Sequence, residues 1–319
     1  MKIDLLSASK IALFDCMDLK KHENLLIITD EPCREIGFYL WSAAKDSGIE
    51  AVITEIVTRS SHGEEPPLAV AEFMKSFDVI LIPTSKSLSH TESRREASKH
   101  GVRIATLPGI SFDTMKRTLN ADYKKIAEKS NKIARILSEG NEVKISTDKG
   151  TDLTLNIENR RGFADTGINH NKGDFSNLPA GEGYIAPLED RAYGNIVFDG
   201  SMSGVGILEN ETINIKVEAG FATVISGGKG AKKLKSIMEP HGKLAYNLAE
   251  LGIGTNDKAL VIGNILEDEK ALNTIHIAFG DNKSMGGEIR VASHLDGVIF
   301  NSTLTVDGKT LIDNGELLI

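Results

Sequence analysis

Four short runs rich in Val, Ile and Leu, at 25–29 (LLIIT), 51–57, 78–83 and 102–107, constrain the first third of this 319-residue chain most tightly. Stretches with helical spacing of apolar residues lie between and beside them, at 34–47, 68–77 and 91–100. Strands that are apolar on both faces and alternate with helices form a parallel sheet covered on both sides. The first domain, 1–125, is therefore expected to be a Rossmann-like α/β unit, and the remaining length suits one more domain. The dinucleotide fingerprint is missing. The first strand runs into DEPCR at 30–34, with no Gly-rich turn, and its acids would repel a pyrophosphate. This domain reads as a scaffold or a substrate wall.

A single long helix over 112–139, with Lys and Arg crowding its polar positions, is expected to bridge the domains. From 142 onward the pattern changes to short strands with turns. Hairpins are expected around Asp148-Lys149-Gly150, Ala219-Gly220 and Asp307-Gly308. The glycine cluster at 226–230 does not fit a phosphate loop and reads as a turn into a helix at 231–238. A further helix is expected over 241–251, stopped by Gly252 and Gly254. The second domain, 126–319, is thus expected to be mixed α+β.

Net charge of −8 and 5% aromatic residues exclude a basic, base-stacking surface, so no nucleic-acid partner is expected. Cys16 and Cys33 show no metal or redox spacing and suit a reducing compartment. No signal peptide and no apolar run of about 18 residues is present, so a cytoplasmic protein without a membrane span is expected.

Chemistry concentrates in 274–301. His276 sits in an alternating run at 274–278, and a β-favouring run at 289–292 leads into His294 and Asp296. Residues at i and i+2 on a strand share a face about 7 Å apart. With His276 on a neighbouring strand, this set can converge on one divalent cation. The alternative is two core histidines that each satisfy a backbone carbonyl. Glu182, in the loop NLPAGE, and Glu250, at the end of the expected helix, are each a capping or surface residue or a functional carboxylate. Arg160, Arg161 and Asp165 precede that loop and either line a cleft, where an arginine would hold a substrate carboxylate, or form a solvent-facing pair.

In order along the chain, NLPAGE, AELGIGTN, LEDEKALNTIHIAFGDN and SHLDGVIFN resemble the aminopeptidase T and aminopeptidase S family of metallopeptidases. With ASKHGVRIATLPGIS, the likeness runs from about residue 90 to the end. The resemblance implies a Rossmann-like N-terminal domain, a mixed C-terminal metal domain and a homodimer. It further implies two divalent ions (Zn, Co or Mn) held by Glu182, Glu250, His276, His294 and Asp296. Such a pair would activate a water against a small peptide substrate, with Glu250 a candidate for the catalytic carboxylate. Two departures stand out: the family's tyrosine is missing from GDNKS at 280–284, and the connection between the histidines is shorter. A second branch with similar motifs, the dihydroxypyridine ring-cleaving dioxygenases, holds one Fe(II) by two histidines and an aspartate, which His276, His294 and Asp296 supply. Peptide hydrolysis is the leading expectation, ring cleavage the alternative, and a noncatalytic metal-binding protein a third reading.

Overall fold

The structure, a computed structural model, describes residues 2–319, which divide into two compact units. The first, Met1–Lys124 with Thr166–Ala180, opens with α1 (Lys2–Lys10). It then alternates β1 (Leu25–Asp30), α2 (Arg34–Asp46), β2 (Ala51–Ile56), α3 (Leu68–Met74), β3 (Val79–Ile82), α4 (Glu92–Lys99) and β4 (Arg103–Thr106) before α5 (Phe112–Thr118). β1 pairs parallel with β2 and β3, and β3 with β4. Every residue of β1, β3 and β4 is buried, as a sheet covered on both faces requires.

Arg103 of β4 carries a charge into this sheet. Arg103 is 8% exposed and grips Glu23 through both guanidinium nitrogens, at 3.1 and 2.7 Å. Burial alone would raise the Glu23 carboxyl; the guanidinium outweighs it and holds Glu23 below its usual value of 4.5. A depressed folded-state value stabilises the fold above the unfolded value and loses that stabilisation as pH falls through the folded one. Glu23→Gln should therefore cost on the order of 2 kcal/mol at pH 7, somewhat less than for a fully dry pair. Urea melts of variant and wild type should converge as the pH drops below 4.5. A pH-independent difference would mean that the loss is one of packing.

The second unit, Lys125–Asp165 with Gly181–Ile319, starts within α6 (Tyr123–Glu139). The single helix expected over 112–139 is in fact two helices, α5 and α6. Asn120 turns its side-chain amide onto the Lys116 carbonyl at 2.6 Å, a local bond that competes with helix continuation. The hairpin of β5 (Glu142–Ser146) and β6 (Asp152–Asn156) follows, then β7 (Gly162–Asp165). Residues 166–180, placed by sequence in the second domain, belong to the first unit instead. There β8 (Phe175–Asn177) pairs parallel with β4, so the five-stranded order is β2-β1-β3-β4-β8. A three-residue FSN strand carries no periodic signal.

The chain returns with β9 (Glu182–Ile185), β10 (Ala192–Phe198), β11 (Ser201–Met202), β12 (Gly206–Ile207), β13 (Ile213–Glu218), β14 (Phe221–Gly227) and α7 (Lys229–Met238). It ends with β15 (Leu248–Gly254), α8 (Ile265–Asp268), β16 (Ile275–Gly280), β17 (His294–Ile299), β18 (Thr303–Val306), β19 (Lys309–Asp313) and β20 (Glu316–Leu317). These form two antiparallel sheets, β14-β13-β10-β6-β5-β18-β19-β20 and β12-β11-β17-β16-β15-β9-β7. Ile145, Leu155 and Ile215 of the first sheet join Leu251, Ile277 and Phe279 of the second in one core. No helix among the described residues is long and apolar enough to cross a membrane.

Two expectations are corrected here. Glu250 does not end a helix: 248–254 is a strand, because Gly252 and Gly254 disfavour helix and Leu251 and Ile253 alternate with them. The run 289–292 is not a strand either. Its Ile289 and Val291 amides donate to the side chains of Asn282 and Asp281, at 2.9 and 3.0 Å, and not to a neighbouring strand.

Candidate metal centre

Alternation along the strands sorts the chemistry of the seven-stranded sheet. Ile185, Leu251, Ile253, Ile275, Ile277 and Ile299 turn into the core. Residues of the other parity share the opposite face. In register across that face lie Glu182 with Gly254, Tyr184 with Gly252 and His276, Glu250 with Ala278 and Asp296, and Gly280 with His294. This face is buried as well, since every residue of β15 and β16 is buried. Glu182, Glu250, His276 and Asp296 are thus held out of bulk water, where an isolated charge would not survive unpaired.

They pair with one another. His276 Nε2 lies 3.1 Å from Glu182 Oε2 and 3.5 Å from Glu250 Oε1. His294 Nε2 lies 3.1 Å from Glu250 Oε2 and 3.3 Å from Asp296 Oδ1. Two ligand groups result, Glu182–Glu250–His276 and Glu250–His294–Asp296, each with its donor atoms within 4.8 Å of one another. Glu250 belongs to both. His276 is 1% exposed and His294 31%, so a small molecule would approach from the His294 side.

The surroundings orient these groups. His294 Nδ1 lies 2.8 Å from the Asp281 carbonyl, so it carries the proton and donates, leaving Nε2 for the carboxylates or an ion. Burial opposes the charge on both imidazoles, yet Glu182 and Glu250 lift His276, and Asp296 and Glu250 lift His294, well above the usual range. Burial likewise opposes ionisation of Glu182, but Lys270 and His276 hold it down to about 2. Glu250 is lowered by the two imidazoles against the same burial. Of the core-histidine alternative, only the Asp281 bond of His294 is seen, because His276 Nδ1 has no hydrogen-bond partner.

Gly252 makes room for His276. A Cβ at 252 would stand 2.1 Å from the ring's Cε1 and Nε2. Gly252→Ala should push the imidazole aside, weakening Mn(II) binding about tenfold and costing about 1–3 kcal/mol of stability. Calorimetric titration and a thermal melt read the two effects separately, and unchanged affinity would show that the ring position is not critical.

The other predicted residues divide. Arg160 does not face an open cleft: it pairs with Glu189 and donates to the Gly286 carbonyl. Glu189 also accepts from Asn282 Nδ2 and the Glu288 amide, each at 2.8 Å, so Arg160 braces the loop that delivers His294. Arg161 lies 5.1 Å from the centre of the Phe163 ring. Asp165 does reach the polar face, 3.4 Å from Lys270 Nζ. Sequence reasoning missed Lys270, Glu269 and Tyr184. Lys270 lies 2.5 Å from Glu182, and burial, with Asp296 and Glu182 beside it, pushes Glu269 up to about 8. Tyr184 was within reach, because the alternation of GEGYI puts it on the face of Glu182. Burial first, then Glu250, Glu182 and Asp165, push its phenol up, so it stays a proton donor.

A family model described as 2,5-dihydroxypyridine 5,6-dioxygenase (NicX) matches residues 13–319. A curated 2,5-dihydroxypyridine 5,6-dioxygenase of Pseudomonas putida is 22% identical over 268 residues, which cover 79% of this chain and 74% of that one. A solved structure of a 2,5-dihydroxypyridine dioxygenase from Pseudomonas putida superposes with a TM-score of 0.83 at 18% identity, over 98% of this chain and 96% of that chain. Wild-type AmpT from Thermus thermophilus superposes with a TM-score of 0.75 at 16% identity over 100% of both. The two-part α/β and antiparallel architecture is therefore a shared fold.

Proposed function

The chain belongs to the 2,5-dihydroxypyridine 5,6-dioxygenase family, and from that premise we propose that it opens the ring of a small dihydroxylated heteroaromatic with dioxygen, using one Fe(II). The observation that carries the reading is that Glu250 links His276 to His294 on one sheet face, with Asp296 3.3 Å from His294 Nε2. Two imidazoles and a carboxylate suit ferrous iron and leave positions open. The Asp281 carbonyl behind His294 is the outer partner that such a ligand ordinarily has. Ferrous iron, when bound, supplies the electron exchange that lets dioxygen react with an aromatic ring.

The remaining work falls to the chain's own residues. Glu250, held ionised beside the imidazoles, can take a proton from a ring hydroxyl, and Tyr184, held protonated, can donate to a substrate oxygen. Peptide hydrolysis, the leading expectation from sequence, gives way to this alternative. The family match and the missing tyrosine at 280–284 both favour ring cleavage.

The test loads purified protein anaerobically with Fe(II) and adds 2,5-dihydroxypyridine or a catechol. Oxygen uptake matched by loss of ring absorbance is expected. Unblocked dipeptides with Co, Zn or Mn serve as the opposing arm. Oxygen-independent dipeptide cleavage that is lost on N-acetylation, without ring opening, would restore the peptidase reading.

A further inference from the structure

Lys270 is placed as a metal ion would be. Its side chain is 2% exposed, and its ammonium lies 2.5 Å from Glu182 Oε1, 2.8 Å from Glu269 Oε1 and 3.4 Å from Asp165 Oδ2. A compact cation held by the Glu182 and Asp165 carboxylates, with Glu269 Oε1 as a third oxygen, is the arrangement of a cation site with an ammonium at its centre. The backbone reaches this position only because residue 254 is glycine: a Cβ there would stand 2.0 Å from the Ala271 carbonyl oxygen. Glu182 gives Oε1 to Lys270 and turns Oε2 to His276 at 3.1 Å. The carboxylate that a second ion would need is therefore already neutralised. Two dications about 3.5–4 Å apart demand several free carboxylates between them, and a fixed ammonium beside them adds repulsion.

We propose that Lys270 fills the second cation position of this centre, so that each chain binds one dication, at the end formed by Glu250, His276, His294 and Asp296. This rests on the single-ion reading above and assigns a residue of this chain as the reason for it. Lys270 is a positioning residue: it acts through Glu182, and its removal should change what the site holds.

The measurement is a count of Mn(II) per chain after titration and desalting, with electron paramagnetic resonance to separate isolated from exchange-coupled ions. Wild type should hold one isolated Mn(II), Lys270→Arg one, and Lys270→Met two that are coupled. Two coupled ions in wild type would overturn the proposal, as would a folded Lys270→Met that holds one. If Lys270→Met does not fold, the wild-type and Lys270→Arg counts decide, since either holding two refutes it and both holding one supports it. The function proposed above fails separately. One ion without ring opening under Fe(II) removes that function and leaves this inference standing, whereas two ions with ring opening does the reverse.

Discussion

Asp296→Ala is expected to lower iron-dependent ring opening by more than about 100-fold, because even the outer partners of metal ligands typically cost 10–100-fold. Asp296 is 7% exposed, opposite Ala278 in the register, with Oδ1 3.3 Å from His294 Nε2. Alanine removes the one carboxylate of the proposed two-histidine set and leaves the imidazoles without its charge. The backbone should tolerate the change, since the Asp296 amide accepts no side-chain role: it donates to Ser203 Oγ at 3.0 Å whatever the side chain is. Oxygen uptake and iron content per chain should therefore fall together while the circular dichroism spectrum holds. Activity within tenfold of wild type would remove Asp296 from the centre.

Glu250→Gln is the second large effect. This carboxylate lies 3.5 Å from His276 Nε2 and 3.1 Å from His294 Nε2 at 5% exposure, so it touches both halves of the site. A neutral amide of the same shape keeps the packing and removes the charge. Mn(II) affinity should drop about 10- to 100-fold by calorimetry. Should Mn(II) bind as in wild type while turnover collapses, Glu250 would be the proton acceptor alone, without a part in holding the ion.

Much of this was legible in the sequence, for identifiable reasons. Strands such as LLIIT and VILI are buried on both faces, so composition alone marks them, and the parallel unit follows from their alternation with helices. The hairpins at 148–150, 219–220 and 307–308 follow from turn chemistry, with positive φ at Gly150, Ala219, Gly220, Asp307 and Gly308. His294 and Asp296 share a face because their spacing is two. What failed was Glu250, whose neighbours were taken at helical spacing although Gly252 and Gly254 alternate as a strand. The FSN strand at 175–177 was too short to show a period. Lys270 was invisible for a different reason. In LEDEK an acidic and basic run reads as solvated surface, and only the tertiary structure shows that Lys270, Glu267 and Asp268 are buried.

The return of residues 166–180 to the first unit sets the order in which the chain can be assembled during synthesis. Until β8 has left the ribosome, β4 has an open parallel edge at Ile104 and Thr106, although β1 to β4 emerged long before. Domains ordinarily complete themselves from the N-terminus as they are made. Here the first unit must wait while β5, β6 and β7 of the second are translated ahead of its last strand. An unpaired edge held open for that interval invites pairing with another nascent chain. The same threading means that no single cut yields either unit whole. A fragment ending at Lys124 would expose the β4 edge permanently, and a soluble version of the first unit needs its last strand rejoined through a short designed loop.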